Sequence, residues 1–173
     1  VEASKVSSGN ISLEMMNLNL VELVNQTSAE FEEKFEARNL KMIMNLPTEP
    51  ATIYADGRRM WRVLANVFNN AAKYAMEGSR VYVVQTGEEV QLTIKNVSEQ
   101  PLNISADELT ERFIRGDVSR STEGSGLGLS IAQNLTKLQG GKFELYLDGD
   151  LFKVLIRFPV PKETEDVYQE VEQ

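Results

Sequence analysis

The chain has no cysteine and no histidine. The first absence excludes a disulfide framework and any thiolate metal site, and it fits a reducing compartment. The second removes Ser-His-Asp and Cys-His catalysis together with histidine-ligated zinc. No run of about 18 apolar residues exists to span a membrane, and the opening residues carry no signal-peptide pattern. Basic charge is scarce: 18 Lys and Arg stand against 26 Asp and Glu, a net charge of −8. The closing ETEDVYQEVEQ holds five acids and no base, so the rest of the chain stands near −3. Nonspecific nucleic-acid binding needs a basic surface, and none is expected here. What remains is 173 residues, 42% hydrophobic and 25% charged, the composition of one globular domain with a real core.

Residues 1–12, VEASKVSSGNIS, read as the end of something that precedes them. LNLVELVNQTSAEFEEKFEARN reads as one amphipathic helix. LKMIMNL and ATIYA are short strands separated by Pro47 and Pro50. Asp56 is a candidate N-cap for a long helix over 57–76. RVYVVQT and EVQLTIKN form a hairpin about Gly87. SADELTERF opens on the capping box Ser105–Glu108 and predicts a short helix. IRGDVSRSTEGSG is a polar loop. KFELYL and LFKVLIRF form a second hairpin around DGD. Helices thus alternate with hairpins, which predicts an α+β fold: a two-layer α/β sandwich with a mixed, mostly antiparallel sheet covered by helices on one face. The domain spans 13–161, and 162–173 is an acidic, frayed tail.

The stretch EGSGLGLSIAQNL places Gly124, Gly126 and Gly128 at the start of a helix, with Leu127, Ile131, Leu135 and Leu138 as its apolar stripe. A helix N-terminus offers unpaired N–H groups and the positive end of a dipole, and glycines let those groups approach a phosphate. The pattern fits neither GxGxxG nor the P-loop. Glycine also marks ordinary turns, so both readings stay open from these residues alone.

The second informative stretch is VLANVFNNAAKYA. Met60, Leu64, Val67, Phe68, Ala71 and Ala75 share one face of the helix. Asn66, Asn70 and Lys73 share the opposite face. One reading is a solvated polar face. The other starts from Asn66, Asn69 and Asn70, three asparagines inside a helix, each worse there than alanine by roughly half a kcal/mol. An amide oxygen is a neutral hard ligand suited to magnesium, and a lysine one turn on can meet a phosphate. Together the two stretches suggest a magnesium–nucleotide site. Trp61 falls near the edge of the core face and reads as packing.

At these residues the sequence resembles the catalytic, ATP-binding domain of bacterial sensor histidine kinases, in the Bergerat-fold ATPase superfamily with gyrase and the heat-shock chaperone ATPases. NVFNNAAKY resembles the N box, ERFIRGD the F box, and GSGLGLSIA the second glycine box. Residues 1–12 are similar to the end of the dimerisation and phosphoacceptor domain. The resemblance implies Mg2+ and ATP as cofactors. It makes Asn70 the magnesium ligand, places Asn66 by the phosphates and the metal's water shell, sets Lys73 on phosphate and packs Tyr74 on adenine. It puts Phe113 and Arg115 on a lid, with Arg115 reaching the phosphates, and wraps the triphosphate with Gly124, Ser125, Gly126, Leu127 and Gly128. Asn66, Lys73 and Arg115 would carry the transfer.

Two departures qualify it. The first glycine box, DxGxG, is missing: Asn96 stands where its aspartate is expected, and VSEQPLNIS follows. An asparagine oxygen still accepts from the adenine amine, without the charge-assisted part. The phosphoacceptor histidine is also missing, so the implied γ-phosphoryl acceptor is a histidine on a dimerisation domain elsewhere, with a response regulator beyond it. The resemblance implies a cytoplasmic domain, monomeric as this fragment and without membrane contact of its own, and it is compatible with a membrane-anchored parent. Three alternatives remain beside the kinase. The first is a gyrase-type ATPase, which would want a glutamate base at Asn66. The second is a degenerate nucleotide-sensing or docking module. The third is an anti-sigma-type serine kinase, against which residues 1–12 argue.

Overall fold

The computed structural model describes residues 12–86, 89–102 and 125–161, without the side chains of 125–127. The capping box at Ser105, the loop over 114–124, the turn at Gly87, residues 1–11 and the tail over 162–173 lie outside them. The elements are β1 (Met15–Asn19), α1 (Leu20–Glu30), α2 (Glu32–Ala37), β2 (Lys41–Asn45), β3 (Thr52–Asp56), α3 (Gly57–Tyr74), β4 (Arg80–Thr86), β5 (Val90–Val97), α4 (Ser125–Leu138), β6 (Lys142–Asp148) and β7 (Leu151–Phe158).

Five strands form one sheet in the order β2-β4-β5-β7-β6. Only β2 and β4 run parallel; the other three pairings are antiparallel. The three central strands, β4, β5 and β7, alternate strictly, as a half-buried sheet requires. Val90, Leu92, Ile94 and Asn96 of β5 point inward, while Gln91, Thr93 and Lys95 between them are half-buried. The inward face packs with α3 and α4 into one core that includes Phe68, Leu64, Leu129, Leu135, Ile94 and Ile156. The α+β sandwich and the mixed, mostly antiparallel sheet follow the sequence pattern.

The helix expected over 18–39 is instead three elements. Met15–Asn19 is a strand that pairs antiparallel with β3 in a separate two-stranded sheet. Asn19 then caps α1, its side chain accepting from Val21 N–H at 3.1 Å. The helix breaks at Phe31, where φ is −102° and ψ 1°. Thr27 and Ser28 just before the break turn their hydroxyls back onto the carbonyls of Leu23 and Asn25, a bonding mode that bends helices. Phe31 remains buried there, with its ring 5.9 Å from that of Phe68.

Candidate nucleotide site

Asp56 ends β3 and begins α3. Its Oδ1 accepts from the N–H groups of Arg58 and Arg59 at 3.0 and 3.1 Å, and its Oδ2 from Glu14 N–H at 2.8 Å. The expected N-cap is therefore in place. Burial pushes the Asp56 carboxyl up, but the three N–H donors and the charge of Arg59 outweigh it and hold the carboxyl below its usual value.

With its start fixed, α3 turns Met60, Leu64, Val67, Phe68, Ala71 and, just past its end, Ala75 into the core, as its periodicity predicts. Trp61 is 40% exposed, at the rim of the core rather than within it, and donates from Nε1 to Glu30 Oε2 at 2.9 Å. The face that carries the asparagines is solvated at Lys73 but not at Asn66 or Asn70. Asn70 is only 7% exposed, and its Oδ1 is buried with no hydrogen-bond partner among the described residues. Asn66 is half-buried, and its Nδ2 is likewise unpartnered among them. Asn69 is different: its Oδ1 accepts from Lys34 Nζ at 3.3 Å, which occupies it elsewhere.

Over Asn66 lies α4. A Cβ placed on Gly128 would lie 3.9 Å from both Cβ and Cγ of Asn66. That is ordinary contact, so no clash demands glycine there, and the missing side chain leaves a gap over Asn66. α4 begins at Ser125, so N–H groups of Ser125, Gly126 and Leu127 lie in its first turn, where no intrahelical acceptor exists. Leu129, Ile131, Ala132 and Leu135 anchor the helix in the core. Leu138, expected in the same stripe, is exposed, and Gln139 just after it takes the inward position. The helix ends there, so its apolar stripe stops a turn early.

The other end of the site is built by backbone. Met76 N–H donates to Val97 C=O at 2.8 Å, and Glu99 N–H to Tyr74 C=O at 2.9 Å. These bonds bring the end of α3, with exposed Lys73 and half-buried Tyr74, beside the end of β5, where Asn96 is buried at 4% exposure. Arg38 reinforces the junction, donating from Nη1 to Ala72 C=O at 2.7 Å and from Nη2 to Glu99 at 3.2 Å. Arg38, Glu99 and Gln139 carried no signal in the sequence, because polar residues at element ends look solvated. Of the residues read from the sequence, Asn66, Asn70, Lys73, Tyr74, Asn96 and Gly128 are described with their surroundings. Ser125, Gly126 and Leu127 are described as backbone, and Phe113, Arg115 and Gly124 lie outside the described residues.

The donor set fits magnesium. Among the described residues no group of three or more acidic, histidine or cysteine side chains is placed to hold a metal. Magnesium does not require one, since it keeps waters and takes few protein ligands beside phosphates. A buried amide oxygen left without a donor, as Asn70 Oδ1 is, suits that role.

This geometry is that of a known class of ATPase domain. The family model of histidine kinase-, DNA gyrase B- and HSP90-like ATPases matches residues 55–164, and the chain belongs to that family. Within it, the chain is of the type found in the catalytic domains of sensor histidine kinases, the enzymes of two-component signalling. Sensor histidine kinase WalK of Bacillus subtilis is 28% identical over 145 residues, 80% of this chain and 24% of that protein. Signal transduction histidine-protein kinase BaeS of Escherichia coli is 27% identical over 82% of this chain and 31% of its own length. The chain thus spans well under half of the curated relatives it matches. The catalytic domain of histidine kinase ThkA, solved nucleotide-free, superposes with a TM-score of 0.71 at 25% identity over 86% of this chain and 97% of that one. Full-length ShkA, solved in complex with AMPPNP, superposes with a TM-score of 0.75 at 19% identity over 92% of this chain and 34% of that one. No described helix is long and apolar enough to cross a membrane.

Proposed function

We propose that this chain binds Mg–ATP between α3 and α4 and donates the γ-phosphoryl group to a histidine outside this sequence, on a dimerisation domain that works with a response regulator. The observation that carries the reading is the buried, unpartnered Oδ1 of Asn70 on the helix whose Asn66 lies under Gly128. Bound magnesium would neutralise charge on the phosphates, and Asn70 is its protein ligand. Asn66 orders the water around it. The first-turn N–H groups of α4, from Ser125 to Leu127, meet phosphate oxygens, as helix N-termini do. Lys73 adds a cation, and Arg115, by the resemblance of ERFIRGD with its Phe113 to the F box, would add another. Gly124 and Gly128 keep the approach open.

At the other end, Tyr74 packs on adenine and Asn96 accepts from its amine. Asn96 replaces a charged acceptor with a neutral one, so affinity is modest. Transfer then rests on position and charge stabilisation. No side chain at Asn66 can take a proton from water, which argues against steady hydrolysis. The same catalytic domain solved from ThkA and the AMPPNP complex of ShkA support the reading by fold.

The test is phosphotransfer. The chain is mixed with ATP labelled at the γ-position and a separately produced histidine-bearing helical dimerisation domain. The reading predicts acid-labile label on that domain, abolished by Asn70→Ala. Binding of nucleotide with no label transferred would leave a nucleotide-sensing module and remove the kinase.

A further inference from the structure

Gln139 is the most deeply buried polar side chain at the C-terminal end of α4 to reach another element. It is 4% exposed. Its Oε1 accepts from the backbone N–H of Asp56 at 2.8 Å, across 83 residues of sequence, and its Nε2 donates to Leu135 C=O at 2.9 Å. The first bond grips the N-cap of α3; the second grips the last turn of α4. Both amide ends of Gln139 are thus used.

We infer that Gln139 is a positioning residue for the nucleotide site: it sets the register of the glycine helix on the asparagine helix. The inference rests on the function proposed above. The two helices touch at two marked places, Gln139 on Asp56 and Gly128 by Asn66. Asp56 and Asn66 are about ten residues apart, and Gly128 and Gln139 about eleven, so each span covers roughly 15–17 Å at ~1.5 Å per residue. The spans match, and the helices run opposite ways between them. Contact between the two apolar stripes is non-directional and tolerates a slide or a roll. A buried hydrogen bond does not, because leaving Asp56 N–H unpaired is costly. The pin at one end therefore fixes how Gly128 sits over Asn66 at the other. Asp56 is itself held by Glu14 N–H, so β1, α3 and α4 meet at this one joint.

The test uses the full chain and three variants. Gln139→Met keeps the volume and loses both bonds. Gln139→His keeps one acceptor and one donor nitrogen while neutral. Phe143→Leu trims a buried core side chain that takes part in neither hydrogen bond, as a control for plain destabilisation. The readouts are the Gly128 amide resonance without nucleotide and the Mg–ATP dissociation constant by calorimetry.

Expected are a shifted Gly128 amide and about tenfold weaker binding in Gln139→Met, equivalent to ~1.4 kcal/mol. Phe143→Leu stays within about twofold of wild type. Gln139→His binds like wild type at pH 8 and falls behind it below about pH 6.5, as the imidazole takes a proton and loses its acceptor. The unsubstituted chain has no histidine to produce such a dependence. A Gly128 amide unmoved in both Gln139 variants, or Phe143→Leu weakening binding as much as Gln139→Met, overturns the inference. If no form binds nucleotide, the proposed function fails, and the amide shift alone still decides whether Gln139 sets the register.

Discussion

A Cβ on Gly128 would stand 3.9 Å from Cγ of Asn66. The glycine is thus not forced by a clash, and its substitution separates folding from binding. Gly128→Ala should fold as well as wild type or better, because alanine gains about 1 kcal/mol over glycine in a helix. On a chain of this size that raises the melting temperature by ~2–4 °C. The added methyl should nevertheless fill the gap over Asn66 and weaken Mg–ATP binding about tenfold. Thermal melting and calorimetry on the same sample check both halves.

Asp56 gives the chain an acid-sensitive joint. Its carboxyl titrates below its ordinary value of 3.8 in the folded state. A depressed folded value adds stability that is fully present above 3.8 and is lost as pH falls through the folded value. Asp56→Asn keeps a capping oxygen but not the charge. Its denaturant midpoint should therefore vary less with pH than that of wild type between pH 5 and 3. Asp56→Ala should lose about 1–2 kcal/mol at pH 7. Urea titrations across that range decide the point.

How far the sequence could be read depended on whether a signal was local. Asp56 and the inward face of α3 were legible, because a capping residue and a strong helical period sit in consecutive residues. The hairpins and the sheet class were legible for the same reason. MMNLN was not, since a strand that pairs only with β3 has no alternation strong enough to outweigh the helical pattern after it. The burial of Asn70 was not legible either. Its face reads as solvated from α3 alone, and nothing within that helix signals that the side chain is only 7% exposed. Gln139 stands at a helix end, where a polar residue is commonly solvated, yet it points inward while Leu138 points out.

Arg38 should support the adenine end through backbone rather than charge. Its ion pair with Glu99 is part exposed and adds little by itself. Its bond to Ala72 C=O is the stronger element, since it closes the last turn of α3. Arg38→Ala should cost about 1 kcal/mol of stability. It should weaken adenine nucleotides more than inorganic triphosphate, which does not use Tyr74 or Asn96. Competition binding with the two ligands measures the difference.

Gly141 is required by packing. A Cβ there would stand 2.7 Å from the ring of Phe158, which is 1% exposed and has nowhere to move. Gly141→Ala should lower stability by ~1–3 kcal/mol through overpacking. Chemical denaturation of the variant is sufficient to show it.

The central claim is a magnesium–nucleotide site built on Asn70. The direct measurement is calorimetric titration of the chain with ATP, with and without magnesium, beside Asn70→Ala. Binding that requires magnesium in wild type and is lost or at least tenfold weaker in Asn70→Ala is the predicted result. Wild-type binding indifferent to magnesium, or absent at millimolar nucleotide, would contradict it.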